Sequence, residues 1–152
     1  TIYMSPQGKV LDQNTALRLK QEGHIIILCG HYEGIDERVL EEIVDEEISI
    51  GDYVLTGGEL PAMVLIDCIG RLVEGVLPSQ EAYSCESHFN GLLEHPQYTR
   101  PYEFLNKKVP DILLSGHHAN IEKWRFDKMV ENTKKKRPDL YLKYINNKKT
   151  GD

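Results

Sequence analysis

Three glycine-rich segments lie within the first 62 residues of this 152-residue chain, and they constrain its fold more than any other feature. They span residues 5–8, 29–38 and 49–61. Because glycine has no Cβ, the backbone N–H and C=O groups of such segments can come close to a ligand. Loops at the carboxyl ends of parallel strands also meet at one edge of a sheet. We therefore expect these segments to line one pocket that holds its ligand mainly through the backbone.

The pattern of apolar residues predicts an α/β fold with a parallel sheet. Residues 24–29 form a short, continuous, β-branched run, which is typical of a strand buried on both faces. The predicted strands are residues 2–5 and 24–29, with brief extended pieces at 48–50 and 53–55. The predicted helices are residues 12–22, 36–42 and 59–73, one that begins near 118 or 120, and one at 138–145.

Composition indicates a soluble, cytoplasmic protein. Hydrophobic residues make up 40% of the chain, and no apolar run is long enough to cross a bilayer, so no membrane partner is expected. Cys29, Cys68 and Cys85 are odd in number and lie in or beside apolar segments, which favours a reducing compartment. No Cys-x-x-Cys pair is present, and we predict no metal site. The glycine spacing matches neither the dinucleotide fingerprint nor the P-loop.

Charge is distributed unevenly along the chain. Residues 1–102 contain 6 Lys/Arg and 17 Asp/Glu, a net charge of −11, whereas residues 103–152 contain 12 and 7, a net charge of +5. Attraction to a polyanion follows local charge, so the basic C-terminal third is the candidate nucleic-acid surface. A solvated basic helix face is the alternative interpretation.

Five blocks of the chain resemble bacterial tRNA (guanine-N1)-methyltransferases, the TrmD family of the SPOUT superfamily. These blocks are residues 3–8, 29–38, 49–62, 65–71 and 91–101. The resemblance corresponds to the C-terminal two-thirds of the family, so we expect the family's first strands and a further glycine-rich loop to precede Thr1. It implies an α/β fold with a SPOUT-type parallel sheet and a deep trefoil knot, a rare topology.

The resemblance also implies a domain organisation. Residues 1–77 would form the knotted methyltransferase domain, residues 78–93 an interdomain linker, and residues 94–152 a small all-α tRNA-binding domain. Family members are homodimers in which the linker of one subunit completes the active site of the other.

The implied methyl donor is S-adenosylmethionine, which the family holds in a bent shape, largely through main-chain groups of the glycine-rich segments. The family also suggests a dependence on Mg²⁺. The cofactor-binding positions carried over to this sequence are Tyr3, Ser5, Pro6, Gly30, Tyr32, Glu33, Gly34, Ile50, Gly51, Tyr53, Leu55, Gly57, Gly58 and Pro61.

Glu86 is the predicted catalytic base. Guanine N1 holds a proton at neutral pH, so a base must remove it before the nitrogen can attack a methyl group. The family has an Asp five residues before the glycine at position 91, and this sequence has Glu86 there. The extra methylene moves the carboxylate by about a bond length, which requires local adjustment. An exposed linker carboxylate with no catalytic role is the alternative.

Arg71 is the second predicted catalytic residue. It matches a family arginine that holds guanine and polarises its O6, and a guanidinium suits this task because it is permanently charged and presents a planar fork of donors. An ion pair with Glu74 or Glu81 is the alternative role.

The implied RNA partner is tRNA, methylated at the guanine of position 37 beside the anticodon. Trp124 at helical spacing from Ile121 is also compatible with a core position. The predicted tRNA-binding residues are Lys123, Trp124, Arg125, Lys128, Lys134, Lys135, Lys136 and Arg137. The alternative functions are a SPOUT RNA methyltransferase with a different target nucleotide and a noncatalytic RNA-binding fragment.

Overall fold

The computed structural model describes residues 1–79, 83 and 86–150, without the side chains of residues 149 and 150. Glu81, a candidate partner of Arg71, and Cys85 lie outside the described residues, as does part of the predicted linker. The chain divides into two compact units, Thr1–Gln80 and Glu81–Asp152. The boundaries predicted after residues 77 and 93 stay predictions.

The first unit is built on a three-stranded parallel sheet, which confirms the mixed α/β class. Strand β1 (Ile2–Val10) lies between β2 (Ile27–Cys29) and β3 (Glu46–Ser49), and Ile2 pairs with Ile27 on one side and Glu46 on the other. The expectation that residues 24–29 are buried on both faces was wrong. Only the last three of them form the strand, and they are half-buried because β2 is an edge strand of the described sheet.

Strand β1 is longer than predicted and is interrupted in the middle. Met4 and Lys9 both pair with Ile48 of β3, so residues 5–8 leave the sheet and return to it at one point. The first glycine-rich segment is therefore an excursion within a strand, and it does not follow the strand's end. The extended piece predicted at residues 53–55 does not form a strand.

Three helices connect or follow the strands, and side-chain caps fix the starts of the first two. Asp12 accepts the Thr15 N–H at 2.8 Å and begins α1 (Gln13–Leu19). Asp36 accepts the Arg38 N–H at 3.0 Å and begins α2 (Glu37–Ile43). Helix α3 (Glu59–Gly70) carries Pro61 in its first turn, where a missing N–H costs nothing. Helices α1 and α3 each end three residues before the predicted position.

The core of the first unit joins β1, β3, α1 and α3. The buried residues are Ile2, Met4, Leu19, Ile48, Ala62 and Leu65, of which Leu65 is fully enclosed. Because α3 packs through Ala62 and Leu65, the start of that helix lies next to the carboxyl end of the sheet.

The second unit is mainly helical. It contains α4 (His118–Lys136), α5 (Pro138–Thr150) and a 3₁₀ turn (Asp111–Leu114). It also contains a short antiparallel hairpin, β4 (Glu103–Phe104) with β5 (Lys107–Lys108), which the expected all-α domain did not include. No helix in the described part of the chain is long and apolar enough to cross a membrane.

Candidate functional site

The three glycine-rich segments converge on one cavity of about 380 Å³ in the first unit. This volume lies within the range of small-molecule sites. All fourteen predicted cofactor-binding residues line it: Tyr3, Ser5, Pro6, Gly30, Tyr32, Glu33, Gly34, Ile50, Gly51, Tyr53, Leu55, Gly57, Gly58 and Pro61. The sheet explains why the three segments meet. The pairing of β1 is interrupted at the same edge of the sheet where β2 and β3 end.

The second and third segments are joined by backbone contacts at the wall of the cavity. The Gly58 N–H donates to the Gly30 carbonyl at 3.1 Å, and His31 forms an isolated antiparallel bridge with Gly57. A Cβ on Gly58 would lie 2.7 Å from the Cα of Cys29, closer than real Cβ atoms approach backbone. The glycine at this position thus lets two loops touch each other.

The start of the third segment is a tight turn held by a buried serine. The Ser49 hydroxyl donates to the Gly51 carbonyl at 2.9 Å and accepts the Gly51 N–H at 3.1 Å. Gly51 has φ of 150°, a conformation that favours glycine. The Tyr53 hydroxyl donates to the Ile50 carbonyl at 3.2 Å, which holds the ring of Tyr53 over the turn. This wall of the cavity is therefore preformed.

A histidine–glutamate pair, which was not predicted from the sequence, connects the second glycine-rich segment to α3. His31 Nε2 lies 2.5 Å from Glu59 Oε1, and both side chains are about half exposed. Hydrogen bonds from the backbone N–H of Glu59 and from the His31 ring lower the pKa of the Glu59 carboxyl. His31 and Glu59 are 28 positions apart, so the sequence alone does not reveal the pair. A histidine next to Gly30 in a predicted binding loop is nevertheless a usable signal.

The cavity wall also carries carboxylates that were not predicted. Glu37 and Glu47 line it together with the predicted Glu33, and no Lys or Arg among the described residues lines it. Charged side chains of one sign in a concave site raise the local concentration of ligands of the opposite sign. The cavity therefore favours a ligand with positive charge.

Arg71, the second predicted catalytic residue, does not line this cavity. Arg71 follows the last residue of α3, where its N–H donates to the Asp67 carbonyl at 3.1 Å. Glu86 belongs to the second unit, is half-buried, and its N–H donates to the Tyr83 carbonyl at 3.2 Å.

All the predicted tRNA-binding residues lie on α4 or immediately after it. Arg125, Lys128 and Arg137 form exposed ion pairs with Glu122, Glu131 and Asp139 at 2.6–2.7 Å. Such pairs are weak, so a phosphate can compete for these cations. The exposed residues Lys123, Lys134, Lys135 and Lys136 add to this surface.

Trp124 is half-buried and does not belong to the fully buried core of its unit. Its ring lies 6.4 Å from the Tyr98 ring, centroid to centroid, at an interplanar angle of 51°. The buried residues of α4 are instead Ile121, Met129 and Thr133. The core alternative for Trp124 is thus only partly correct.

Comparison with known proteins identifies the family. The family model described as "tRNA (Guanine-1)-methyltransferase TrmD" matches residues 1–143. The chain belongs to the TrmD family. The resemblance drawn from the glycine-rich blocks is thereby confirmed.

Several curated TrmD-family relatives are similar over nearly the whole chain, and each is named tRNA (guanine-N(1)-)-methyltransferase. The Ruminiclostridium cellulolyticum protein is 68% identical over 145 residues, which are 95% of this chain and 62% of the relative. The Lachnospira eligens protein is 62% identical over 95% of this chain and 61% of its own length. The Finegoldia magna protein is 54% identical over 99% of this chain and 64% of its own length. The chain thus spans about three fifths of these relatives.

Within residues 1–79, 83 and 86–150 of this TrmD-family chain, no three His, Cys, Asp or Glu side chains group as a metal site requires. The Mg²⁺ dependence that the resemblance suggests therefore gains no support from the described residues.

Proposed function

We propose that this chain takes part in methylation of guanine N1 at position 37 of tRNA, with S-adenosylmethionine as the methyl donor. The observation that carries the proposal is the meeting of three separate glycine-rich segments at one cavity in a chain of the TrmD family. The same family membership supports a deep trefoil knot, a homodimer and a cytoplasmic location.

The cavity suits the donor in size and charge. Its volume of about 380 Å³ is adequate for a small molecule, and Glu33, Glu37 and Glu47 complement a cationic sulfonium. The lining glycines, Gly30, Gly34, Gly51, Gly57 and Gly58, have no side chains, so the donor can come close to the backbone along the wall. When bound, the donor supplies an electrophilic methyl group. The fourteen lining residues named above would hold it.

Glu86 and Arg71 are proposed to act on the guanine. The Glu86 carboxylate would accept the N1 proton, which would free the N1 electron pair to take the methyl group, with the electron pair of the broken carbon–sulfur bond left on the donor's sulfur. Arg71 donates to the guanine O6 and stabilises the negative charge that develops there as the proton leaves. In the proposed homodimer the linker of one subunit brings Glu86 to the cavity of the other.

The basic surface of α4 is proposed to bind the tRNA. The target base must leave its stack to reach the methyl donor, which costs least in a single-stranded loop such as the anticodon loop. Arg125, Lys128 and the exposed residues 134–137 provide cations for phosphates. Tyr98 and Trp124 add aromatic faces on which a base can stack.

A labelling assay tests the proposal directly. The protein, at the full length of its relatives, is incubated with methyl-labelled S-adenosylmethionine and tRNA transcripts that carry G or A at position 37. We expect label only in the G37 transcript. Label in both transcripts would favour a SPOUT methyltransferase with another target nucleotide. Binding of either transcript without label would favour a noncatalytic RNA-binding protein.

A further inference from the structure

The segment that carries Glu86 is folded into a closed loop of its own. The His88 N–H donates to the Leu92 carbonyl at 2.8 Å, and the Leu92 N–H donates to Asn90 Oδ1 at 3.2 Å. The Glu94 N–H donates to the Ser87 hydroxyl at 2.9 Å, which closes the loop next to Glu86. The position of residue 86 therefore depends on where the far end of this loop is held.

Helix α4 holds that far end through two side chains. The Leu93 N–H donates to Thr133 Oγ1 at 2.8 Å, and Asn132 Nδ2 donates to the Glu94 carbonyl at 3.3 Å. Leu92, between these contacts and the loop, is 1% exposed. A buried leucine and two hydrogen bonds thus fasten the loop to the helix.

The Thr133 hydroxyl is fully engaged in this contact. Thr133 is completely buried, and its hydroxyl donates to the Met129 carbonyl at 2.6 Å while it accepts from Leu93. A hydroxyl back-bonded to the preceding turn has a fixed rotamer, so its lone pair has a fixed direction. This threonine is a rigid acceptor for one backbone N–H of the loop.

We propose that Thr133 is a positioning residue for methyl transfer, because its hydroxyl ties the loop that carries Glu86 to the tRNA-binding helix. This inference rests on the proposed function of Glu86 and of α4. Thr133 directly precedes the four basic residues 134–137, so the helix turn that would contact phosphate is the one that fixes the loop. The physical route is Thr133 to Leu93, Glu94 to Ser87, and Ser87 to the adjacent Glu86.

Because of this chain of contacts, the position of the Glu86 carboxylate depends on the Thr133 hydroxyl. Without it the Leu93 N–H has no acceptor, and the loop end moves toward water to regain one. Misplacement of a catalytic group by about 1 Å is enough to lower a rate by about two orders of magnitude. Affinity for tRNA depends on the exposed lysines and not on this buried contact, so it does not change.

The test compares Thr133→Val, which keeps the shape but lacks the hydroxyl, with Thr133→Ser, which keeps the hydroxyl. Both are made in the full-length protein and assayed for single-turnover methylation of the G37 transcript at saturating donor and tRNA. We expect the valine variant to be slower by about 10-fold or more and the serine variant to stay within about 2-fold of the wild type. The dissociation constants for tRNA and for the donor should be unchanged in both.

A double substitution tests the route itself. If Ser87→Ala and Thr133→Val interrupt the same chain of contacts, the double variant should be no slower than the slower single variant. Multiplicative losses would mean that the two residues act separately, and this would overturn the route. A valine variant as fast as the wild type, or one that loses tRNA affinity and rate together, would overturn the positioning role.

Amide hydrogen exchange separates this inference from the proposed function. The Leu93 amide should exchange faster in the valine variant than in the serine variant, whether or not the protein methylates RNA. An inactive wild type with this exchange pattern would refute the methyltransferase proposal and leave Thr133 a structural anchor. Equal exchange in both variants would refute the anchor as well.

Discussion

The contact between the second and third loops gives the sharpest prediction, because a single methyl group at Gly58 should disrupt it. Gly58 has φ −81° and ψ −7°, which alanine adopts freely, so Gly58→Ala introduces no backbone strain. The new Cβ would lie 2.7 Å from Cys29 Cα and 3.1 Å from the Gly30 nitrogen. Carbon atoms in contact prefer at least ~3.5 Å, so the two loops must separate by about 0.8 Å.

That separation has two measurable consequences. Overpacking of this kind costs about 1–3 kcal/mol of the free energy of unfolding. It also stretches the hydrogen bond from Gly58 to Gly30, which is already 3.1 Å long, and shifts the cavity wall. Loss of one or two hydrogen bonds to the donor, at about 1 kcal/mol each, lowers its affinity by about 10-fold.

Isothermal titration calorimetry with S-adenosylmethionine and thermal unfolding followed by circular dichroism measure the two effects. Gly70→Ala is the matched control, since a Cβ at Gly70 would meet nothing within 4 Å. Because Gly70 is the last residue of α3, alanine there should add less than the ~0.5–1 kcal/mol expected in the middle of a helix and leave donor affinity unchanged. Donor binding by Gly58→Ala at wild-type affinity would refute the proposal that this loop contact shapes the donor site.

Three further outcomes follow from the site and from α4. Glu86→Gln should slow methylation by about 10²-fold or more with tRNA affinity unchanged, whereas an unaltered rate would exclude Glu86 as the base. Replacement of Lys135 and Lys136 by alanine should weaken tRNA binding and reduce the salt slope by about 0.7–0.9 for each phosphate that is no longer neutralised, and an unchanged slope would place the RNA elsewhere. The hydrogen-bonded Arg137 guanidinium lowers the pKa of Asp139 from 3.8 to about 2. The pair therefore stabilises the fold above pH 3.8, and this contribution disappears as the pH falls toward 2. Thermal unfolding of Asp139→Asn over that interval should depend less on pH than that of the wild type.

Local sequence signals predicted the parts of this fold that local chemistry controls. The first two helices begin next to the predicted positions 12 and 36, where the carboxylates of Asp12 and Asp36 accept free N–H groups of the first turn. The glycine-rich segments indicated the cavity, because their side-chain-free backbone favours a shared pocket, although only the second and third segments follow the ends of strands.

The features that sequence missed depend on contacts between distant residues. The excursion at residues 5–8 exists because Met4 and Lys9 both pair with Ile48, and no property of the segment itself reveals that pairing. The contacts of Glu59 with His31 and of Thr133 with Leu93 join residues 28 and 40 positions apart. The fold brings each pair together, so its chemistry becomes visible only in three dimensions.

Because Met4 and Lys9 both pair with Ile48, the length of the loop between them does not affect the register of the sheet. Residues added to or removed from positions 5–7 would leave the pairing with β3 on both sides unchanged. Gly8 is constrained, because a Cβ there would lie 2.5 Å from the backbone of Glu47. One wall of the cavity can therefore vary in size during evolution or engineering while the scaffold beneath it stays the same.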